Sequence, residues 1–346
     1  MNLKQLAKEL NLSFSTVSKA LRDSHEISIR TKNIVLAKAK ELNYQVNPLA
    51  SSFRKQKSNT IAVVIPEVVN GFFGRVINGI ESIAQEKGYH VLIYLTHEKM
   101  QKEVAISKLL QNGRVDGIII SLSEQTSDTK HLEVLKENDI PLVFFDRIPD
   151  HINAPKVTTD DYNCGIKATQ LLIENGCKKI AFLTISPKLS ISNKRMNGYA
   201  EALKMNQMKM DNSLIVYCST DDARNNELVR NLLKRKNRPD GIFASVEKLA
   251  ITAYEICGQL KLKIPDDIKI ITFSNSYMAG LLNPTLTTIT QPAYDIGREA
   301  AAILFKLIEK RGNHFLKENT ELNSILVERN STKSKRKRKV IKSSDL

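Results

Sequence analysis

Ile61-Ala62-Val63-Val64-Ile65 is the stretch that decides the fold of this chain. These five consecutive apolar residues, four of them β-branched, stand between Thr60 and Pro66. A short run that is apolar throughout is typical of a strand that is buried on both faces of a parallel sheet. The stretch therefore predicts an α/β protein with a parallel sheet.

Strand and helix patterns alternate outward from this stretch. The first half predicts strands at 60–66, 90–95, 117–121 and 142–145, alternating with helices at 73–87, 101–112 and 130–138. From residue 160, the second half predicts helices at 164–174, 194–204, 223–234 and 249–260, and strands at 179–184, 214–218, 240–245 and 268–273. Such alternation predicts a parallel doubly wound sheet, and its repetition predicts two lobes.

A short internal repeat supports the division into two lobes. Arg114-Val115-Asp116-Gly117-Ile118 and Arg238-Pro239-Asp240-Gly241-Ile242 each open the third strand of their half. A helix at 294–310 is then predicted to return the chain to the first lobe, before it crosses again to a strand at 325–327. Repeated crossing predicts a hinged cleft, and small ligands bind at the carboxyl ends of such sheets.

The net charge of +15 is concentrated at the two ends of the chain. Residues 1–58 hold eleven Lys and Arg against four acidic residues, and residues 331–346 hold seven against one. The long middle is left with a net charge of only +2. Two basic ends predict a polyanionic partner, with a merely solubilising charge as the alternative. The block at 333–339 is predicted to be disordered.

The basic head predicts a helix-turn-helix. The turn at 11–13 ends a first helix, Ser13 caps a second at 14–22, and Ser28 caps a third at 29–42. In the second helix the inward positions are Val17, Ala20 and Leu21, and the outward positions are Phe14, Ser15, Ser18, Lys19 and Arg22. Hydroxyls and a lysine on such a helix can reach base edges in the major groove. An amphipathic core helix is the alternative.

A short segment joins the head to the body. Asn47 is a good N-cap, and Pro48 then occupies the first helical position, where its missing N–H costs nothing. Leu49, Ala50 and Phe53 share one face of the predicted helix. A helix of about two turns is marginal in water. We therefore expect this segment to fold only when its neighbours hold it, which would couple the head to the body.

A longer motif runs through the head and this segment. Leu6-Ala7-x4-Leu12-Ser13-x2-Thr16-Val17-Ser18-Lys19-Ala20-Leu21 is followed by Leu42-Asn43-Tyr44-x2-Asn47-x2-Ala50. The pattern closely resembles the lactose-repressor/galactose-repressor family of bacterial transcription regulators, and the resemblance continues to about Arg329. By position it implies that the base-reading residues are Phe14, Ser15 and Lys19, the phosphate contacts Thr16 and Ser18, and the hinge-helix residues Asn47, Ala50 and Phe53.

The resemblance also implies a type I periplasmic-binding-protein architecture for the body. The positions that match the family's ligand contacts are Asn70, Phe72, Phe73, Asp146, Asp160, Arg195, Val246, Glu247, Ser274, Asn275 and Gln291. Arg195 is the strongest candidate, because a guanidinium can fork to sugar hydroxyls or to a carboxylate. Asp160 can instead cap the helix that follows it, and Phe72 or Phe73 can belong to the core.

The chain departs from the family pattern at five of these positions. Phe53 stands where leucine is usual as the wedge between base pairs, and Phe14 where tyrosine is frequent. Ser274 and Glu247 each stand where aspartate is usual, and Val246 where a polar contact is common. The ligand is therefore not a simple sugar, or a protein partner on the first lobe supplies the signal instead.

Other classes of protein are disfavoured by what the sequence lacks. The four cysteines form no C-x-x-C pair, and no apolar run approaches the roughly 18 residues of a membrane span. The polar N-terminus is unlike a signal peptide, so we expect a cytoplasmic protein. The phosphate-loop, dinucleotide, nucleophile-elbow and zinc-protease motifs are missing, and no two histidines have ligand spacing. We expect no enzyme, cofactor or metal site.

The sequence thus predicts a homodimeric, DNA-binding transcription regulator, a repressor, in which a small-molecule effector such as a sugar controls operator affinity. The predicted domains are a helix-turn-helix at 1–46, a hinge helix and linker at 47–58, a body at 59–330 and a tail at 331–346. Lobe 1 takes about 59–158 and 291–320, and lobe 2 about 160–289 and 321–330. The alternatives are control by a protein corepressor, a cytoplasmic sugar-binding protein and a DNA-packaging protein.

Overall fold

A computed structural model describes residues 3–21, 23–44, 58–69, 71–111, 113–219, 221–310 and 318–333. Contacts divide the chain into two units, Met1–Ser58 and Asn59–Leu346. The predicted hinge positions Asn47, Ala50 and Phe53 and most of the predicted tail lie outside the described residues.

The head contains three short helices: α1 (Leu3–Glu9), α2 (Phe14–Ala20) and α3 (Ile29–Glu41). Both predicted caps are confirmed, since Ser13 Oγ accepts the Thr16 N–H at 3.0 Å and Ser28 Oγ accepts the Thr31 N–H at 3.2 Å. The core of the head is a small cluster that includes Leu6, Ala7, Val17, Ala20, Val35 and Ala39.

The second helix ends earlier than the predicted 14–22. Asp23 has a φ of 56°, in the left-handed region that cannot continue a helix. Lys32 Nζ holds this turn by donating to the carbonyl oxygen of Asp23 at 3.2 Å and to its carboxylate at 2.6 Å. The end of α2 is therefore set by a side chain of the following helix, which local periodicity does not show.

The body alternates strands and helices along its length. Its strands are β1 (Thr60–Ile65), β2 (His90–Leu95), β3 (Gly117–Ile120), β4 (Leu142–Phe145), β5 (Lys156–Thr159), β6 (Ile180–Thr184), β7 (Ile215–Tyr217), β8 (Gly241–Ala244), β9 (Lys269–Phe273), β10 (Thr287–Thr290), β11 (Asn319–Leu322) and β12 (Ile325–Val327). Its helices are α4 (Gly71–Glu86), α5 (Met100–Leu110), α6 (Lys130–Glu137), α7 (Asp161–Glu174), α8 (Ser190–Met205), α9 (Asp222–Leu233), α10 (Glu247–Gln259) and α11 (Ala293–Lys310).

The strands form two six-stranded sheets, one for each lobe. Their orders are β11-β5-β4-β3-β1-β2 and β12-β10-β9-β8-β6-β7, and every pairing is parallel except β10 with β12. Strand β1 is buried along most of its length, as its apolar run predicts. The predicted fold class, a two-lobed body with parallel doubly wound sheets, is confirmed.

The sequence patterns predict neither β5 nor β11. Both strands are short and carry polar residues, and alternate residues of β11 are exposed at the edge of the sheet. Because β11 pairs with β5 up to Leu322 and Thr159, the first sheet extends past the predicted lobe boundary at residue 320.

The body also extends beyond the predicted boundary at residue 330. Ser331 and Thr332 are fully buried. Ser331 Oγ donates to the carbonyl oxygen of Ile270 at 2.6 Å and accepts the Thr287 N–H at 2.8 Å. Placing these two residues in the tail is therefore wrong, because Ser331 bonds to β9 and β10 of the second sheet and Thr332 is buried beside it.

Three crossings connect the two lobes, and hydrogen bonds join them to one another. The Ser324 N–H donates to Asp160 Oδ1 at 2.7 Å, and the Asp160 N–H donates to the Leu322 carbonyl oxygen at 3.2 Å. Gln291 Nε2 donates to Thr159 Oγ1 at 3.1 Å. The three segments that connect the lobes are therefore joined by hydrogen bonds and form a single hinge.

Candidate ligand cleft and DNA-facing head

A cleft lies between the lobes, where helices begin after the carboxyl ends of strands. Its lining consists of Phe72, Phe73, Asp146, Arg147, Ile191, Arg195, Val246, Glu247, Phe273, Ser274, Asn275 and Gln291. Nine of the eleven predicted effector positions are in this set. Of the other two, Asn70 lies outside the described residues, and Asp160 is elsewhere.

The cleft is narrow in this structure. Its free volume is about 40 Å³, whereas ligand pockets usually measure roughly 300–1,000 Å³. A ligand the size of a monosaccharide therefore requires the lobes or the lining side chains to move apart.

Arg195 lies at the centre of the cleft and is rigidly held. Its Nε donates to Asp161 Oδ1 at 2.7 Å, and its Nη1 donates to the Ser245 carbonyl oxygen at 2.6 Å. The guanidinium carbon lies 3.6 Å from the centroid of the Phe273 ring. Since both members of the Arg195–Asp161 pair are buried, the remaining N–H groups have a fixed direction from which to bind an acceptor.

A close helix crossing sets the position of Arg195. Helices α7 and α8 meet at Gly165 and Gly198, where a Cβ on Gly198 would lie 2.2 Å from the Tyr162 carbonyl oxygen. A Cβ on Gly165 would lie 2.5 Å from the carbonyl oxygen of Arg195 itself. The two glycines therefore allow α8 to approach α7 closely enough for Arg195 to reach Asp161.

Asp146 follows β4 and faces Arg195 from the other lobe. Its φ of 56° is in the left-handed region, where strained residues cluster at functional sites. Burial raises the pKa of Asp146 above its ordinary value, while the guanidinium groups of Arg195 and Arg147 act in the opposite direction. A buried carboxyl of this kind can hydrogen-bond a hydroxyl group of a ligand.

Arg147 is a cleft residue that the sequence patterns do not predict. Its Nη1 donates to both carboxylate oxygens of Glu98, at 2.8 and 2.7 Å, and its guanidinium carbon lies 5.9 Å from the centroid of Phe73. Its buried Nε has no hydrogen-bond partner among the described residues. The sequence signal that could have identified Arg147 is a cationic residue directly after Asp146, at the end of a buried strand.

Asp160 does not line the cleft, and the prediction that it does is wrong. Its carboxylate accepts hydrogen bonds from the Ser324 N–H, from Cys164 Sγ at 3.2 Å and from Lys167 Nζ at 3.3 Å. Burial acts to raise the pKa of Asp160, but these three donors outweigh it and leave the pKa below its usual range. The side chain stabilises the hinge, and it does not cap α7 either.

The remaining predicted effector residues combine cleft and core roles. Phe72 and Phe73 are both buried, with ring centroids 5.3 Å apart in an edge-to-face contact, so each faces the cleft while contributing to the core. Asn275 Nδ2 donates to the Gln291 carbonyl oxygen at 2.6 Å. Ile191 and Phe273 add apolar surface that the sequence patterns do not predict.

The outward face of α2 is smaller than predicted. Phe14 and Ser15 are exposed, and Thr16 and Lys19 are half-buried, whereas Ser18 is only 8 % exposed. The prediction that Ser18 points outward is wrong, because it follows Val17 and precedes Leu21 by one helical turn, within the inward stripe. Arg22 lies outside the described residues.

Within the ranges that the structure describes, no group of three His, Cys, Asp or Glu side chains could hold a metal ion, and no helix is long and apolar enough to cross a membrane. The four cysteines are buried and free, and burial raises the pKa of Cys164 and Cys177 to about 12. Thiols with such raised pKa values are poor nucleophiles.

A head with a helix-turn-helix and a body of two doubly wound lobes define the class of ligand-responsive DNA-binding regulators. A family model described as a periplasmic binding protein-like domain matches residues 169–332. The chain is 31 % identical over 310 residues to the ribose operon repressor of Bacillus subtilis (strain 168), covering 89 % of this chain and 92 % of that protein. It is 30 % identical over 306 residues to catabolite control protein A of Priestia megaterium, covering 88 % and 92 %.

Solved structures show the same architecture. Transcription regulator CcpA of Lactococcus lactis superposes with a TM-score of 0.72 at 27 % identity, covering 79 % of this chain and 99 % of that one. A LacI family regulator from Enterococcus faecium with bound ribose superposes with a TM-score of 0.68 at 25 % identity, covering 79 % and 98 %. The chain therefore belongs to the lactose-repressor/galactose-repressor family. It is a transcription regulator and not an enzyme, as predicted.

Proposed function

We propose that this protein is a homodimeric, sequence-specific repressor whose operator affinity is controlled by a small polyhydroxylated effector in the cleft. The observation that carries the proposal is the convergence of nine predicted positions on one cleft around Arg195. Fixed donors and acceptors beside aromatic rings suit a sugar or a related metabolite. The relatives named as ribose operon repressors and the family structure with bound ribose support this class of ligand.

The lining narrows the class of effector further. Ser274 lines the cleft where sugar-binding family members usually carry an aspartate, and Val246 lines it where they commonly carry a polar contact, whereas Arg147, Arg195 and Asp146 supply charged or polar groups. The ligand therefore interacts with the guanidinium groups and Asp146 and presents an apolar edge to Val246. A deoxysugar or a nucleoside has this distribution of polar and apolar groups.

Control by a protein corepressor is the second candidate. The free volume of about 40 Å³ is the observation that favours it. Calorimetric titration of the full chain with pentoses, hexoses, deoxysugars and nucleosides distinguishes the two candidates. Saturable binding that Val246→Asn alters supports the cleft effector, and no heat with any compound in the panel favours the protein partner.

The DNA-binding surface that we propose combines α2 with the hinge segment. Phe14, Ser15 and Lys19 read bases, and Thr16 contacts phosphate. Asn47, Ala50 and Phe53 form a hinge helix at the centre of a pseudo-palindromic operator. Selection of bound sequences from a random duplex pool by the full-length chain tests this proposal. A recovered pseudo-palindrome with a fixed central step supports it, and recovery of no motif with every effector tested contradicts it.

Phe53→Ala is expected to weaken binding to the selected operator by about tenfold or more, with little change on a scrambled duplex. The side chain acts as a wedge only when the duplex is kinked at the central step, and non-specific DNA provides no such step. Fluorescence anisotropy at matched salt measures both affinities. An equal loss on the two duplexes would reject the wedge.

We place the dimer contact on two groups of exposed apolar side chains. On lobe 2, Ile251 lies on α10, and Tyr277, Met278 and Leu281 lie on or after the short 3₁₀-helix that ends at Gly280. On lobe 1, Leu92 and Ile93 are exposed on β2, which is the last strand at its edge of the sheet. Apolar side chains clustered in this way are typical of subunit interfaces.

Leu281→Glu is expected to convert the dimer to a monomer at micromolar concentrations. Leu281 is 69 % exposed in the single chain, and a carboxylate at this position would be buried within the proposed subunit contact in both copies. Met205→Glu is the matched control, because Met205 is a 63 % exposed apolar residue at the end of α8, which belongs to neither of the two proposed contact groups. Sedimentation velocity measures both variants. A Leu281→Glu protein that stays dimeric would exclude this surface.

A further inference from the structure

Lys19, the proposed base-reading cation of α2, is not free in the head. Its ammonium forms an ion pair with the carboxylate of Glu26, in the loop between α2 and α3. The two side chains are 44 % and 53 % exposed, so both remain open to solvent and to a partner. The ammonium of Lys19 lowers the pKa of Glu26, which keeps this carboxylate charged. The base-reading face therefore includes an acidic group that the recognition pattern does not predict.

The loop that carries Glu26 is held in place from both ends. Lys32 of α3 binds the carbonyl oxygen and the carboxylate of Asp23. Ser24 Oγ accepts the Glu26 N–H at 3.4 Å, and Ser28 caps α3 directly after the loop. These bonds fix the backbone on either side of Glu26. The pairing with Lys19 therefore follows from the structure of the loop.

We propose that Glu26 is a specificity-determining residue that withholds the Lys19 ammonium from DNA phosphates and yields it to a base edge. The inference rests on the proposed function of the head as a sequence-specific DNA reader. A lysine with no acidic neighbour gains affinity from any phosphate, because the gain comes from counterion release and carries no sequence information. Glu26 removes part of that gain in advance, because the Lys19 ammonium is already paired before DNA is bound.

Non-specific DNA and the operator differ in the contact that replaces the Lys19–Glu26 ion pair. On non-specific DNA, Lys19 exchanges one anion for another, and the Glu26 carboxylate is brought close to the negative backbone. On a guanine in the major groove, the ammonium donates to O6 and N7 from the groove side. The exposed pair is weak enough to rearrange readily for this contact. Glu26 therefore lowers non-specific affinity more than specific affinity.

Glu26→Gln in the full-length chain tests the proposal. Affinity is measured by anisotropy on the selected operator and on a scrambled duplex over a salt series. Affinity for the scrambled duplex is expected to rise about threefold to tenfold, with a salt slope steeper by about one, while operator affinity rises less. The ratio of operator affinity to scrambled-duplex affinity therefore falls, by about tenfold at most. An unchanged ratio would overturn the proposal.

Glu41→Gln is the matched control for loss of one acidic charge from the head. Glu41 forms a comparable exposed pair with Lys38, at 2.7 Å, at the end of α3. For Glu41→Gln, the ratio of operator affinity to scrambled-duplex affinity is expected to stay at the wild-type value. A fall equal to that of Glu26→Gln would mean that net charge alone matters, and would overturn the role assigned to Glu26.

Repeating the Glu26→Gln change in a Lys19→Met variant distinguishes two effects of Glu26. One is its pairing with Lys19, and the other is direct repulsion between its carboxylate and the DNA backbone. In Lys19→Met, the Glu26→Gln change is expected to leave the ratio of affinities unaltered. A fall of the same size in both backgrounds would reject the action through Lys19. A wild-type chain that selects no motif would instead reject the proposed function of the head, and this inference with it. Helical circular dichroism verifies that each variant is folded.

Discussion

Arg195→Met is expected to weaken effector binding by about 100-fold or more. The lost guanidinium is held by the protein on three sides, by Asp161, by the Ser245 carbonyl oxygen and by the Phe273 ring. Charge-assisted hydrogen bonds to a ligand contribute about 1.5–3 kcal/mol each, and about 1.4 kcal/mol corresponds to a factor of ten. Titration calorimetry with the effector from the metabolite panel measures the loss.

The same substitution is expected to destabilise the fold, so a second variant is needed. Removing Arg195 leaves the Asp161 carboxylate buried without its partner, which typically lowers the free energy of unfolding by about 3–5 kcal/mol. Adding Asp161→Asn removes the uncompensated charge and is expected to recover much of this stability. Effector binding should stay lost in the double variant. Recovery of binding together with stability would show that Arg195 acts only through the fold.

Gly198→Ala is expected to lower the stability of lobe 2 by about 3 kcal/mol, the upper part of the usual range for overpacking. The added Cβ would lie 2.2 Å from the backbone carbonyl oxygen of Tyr162 and 2.9 Å from Gly165 Cα. Because backbone atoms cannot rotate away, α7 and α8 must separate by about 1 Å to reach an ordinary contact. Arg195, one turn earlier on α8, would move with them. Urea unfolding of the full-length chain measures the loss.

Gly258→Ala is the control for this change. Gly258 lies inside α10, and no atom beyond the neighbouring backbone of its own helix lies within 4 Å of the Cβ that it would gain. Replacing glycine with alanine in an open helix position stabilises it by about 0.5–1 kcal/mol. The two variants have the same chemical change and are expected to have opposite effects on the free energy of unfolding. If Gly198→Ala is as stable as Gly258→Ala, the close crossing is not what positions Arg195.

Hydrogen bonds link the cleft to all three segments of the hinge. Gln291 lines the cleft and also donates to Thr159 beside Asp160, which binds Ser324 of the third crossing. A ligand that parts the lobes must therefore act on all three crossings together. A change in lobe angle of this kind is the two-state motion that the proposed function requires.

Much of the fold could be predicted from the sequence because its signals are local. The apolar run at β1, the alternation of strands and helices, and the Ser13 and Ser28 caps each depend on residues within one element. The nine effector positions that meet in the cleft follow from motif position in the family. Conversely, β5 and β11 carry no apolar signal, because both strands are only four residues long and contain polar residues. Strand β11 is the edge strand, and β5 is the strand that pairs with it.

What only the tertiary structure decided depends on contacts between distant segments. Asp160 became a hinge residue because Ser324, which is 164 positions away, donates to it. Arg147 became a cleft residue because Glu98 from the end of another strand holds it there. Glu26 joined the base-reading face because the third helix fixes its loop beside Lys19. The sequence alone determines which residues have the required chemistry. Packing determines which of them come into contact, because residues that are far apart in the sequence can be close in space, and local sequence spacing carries no information about such contacts.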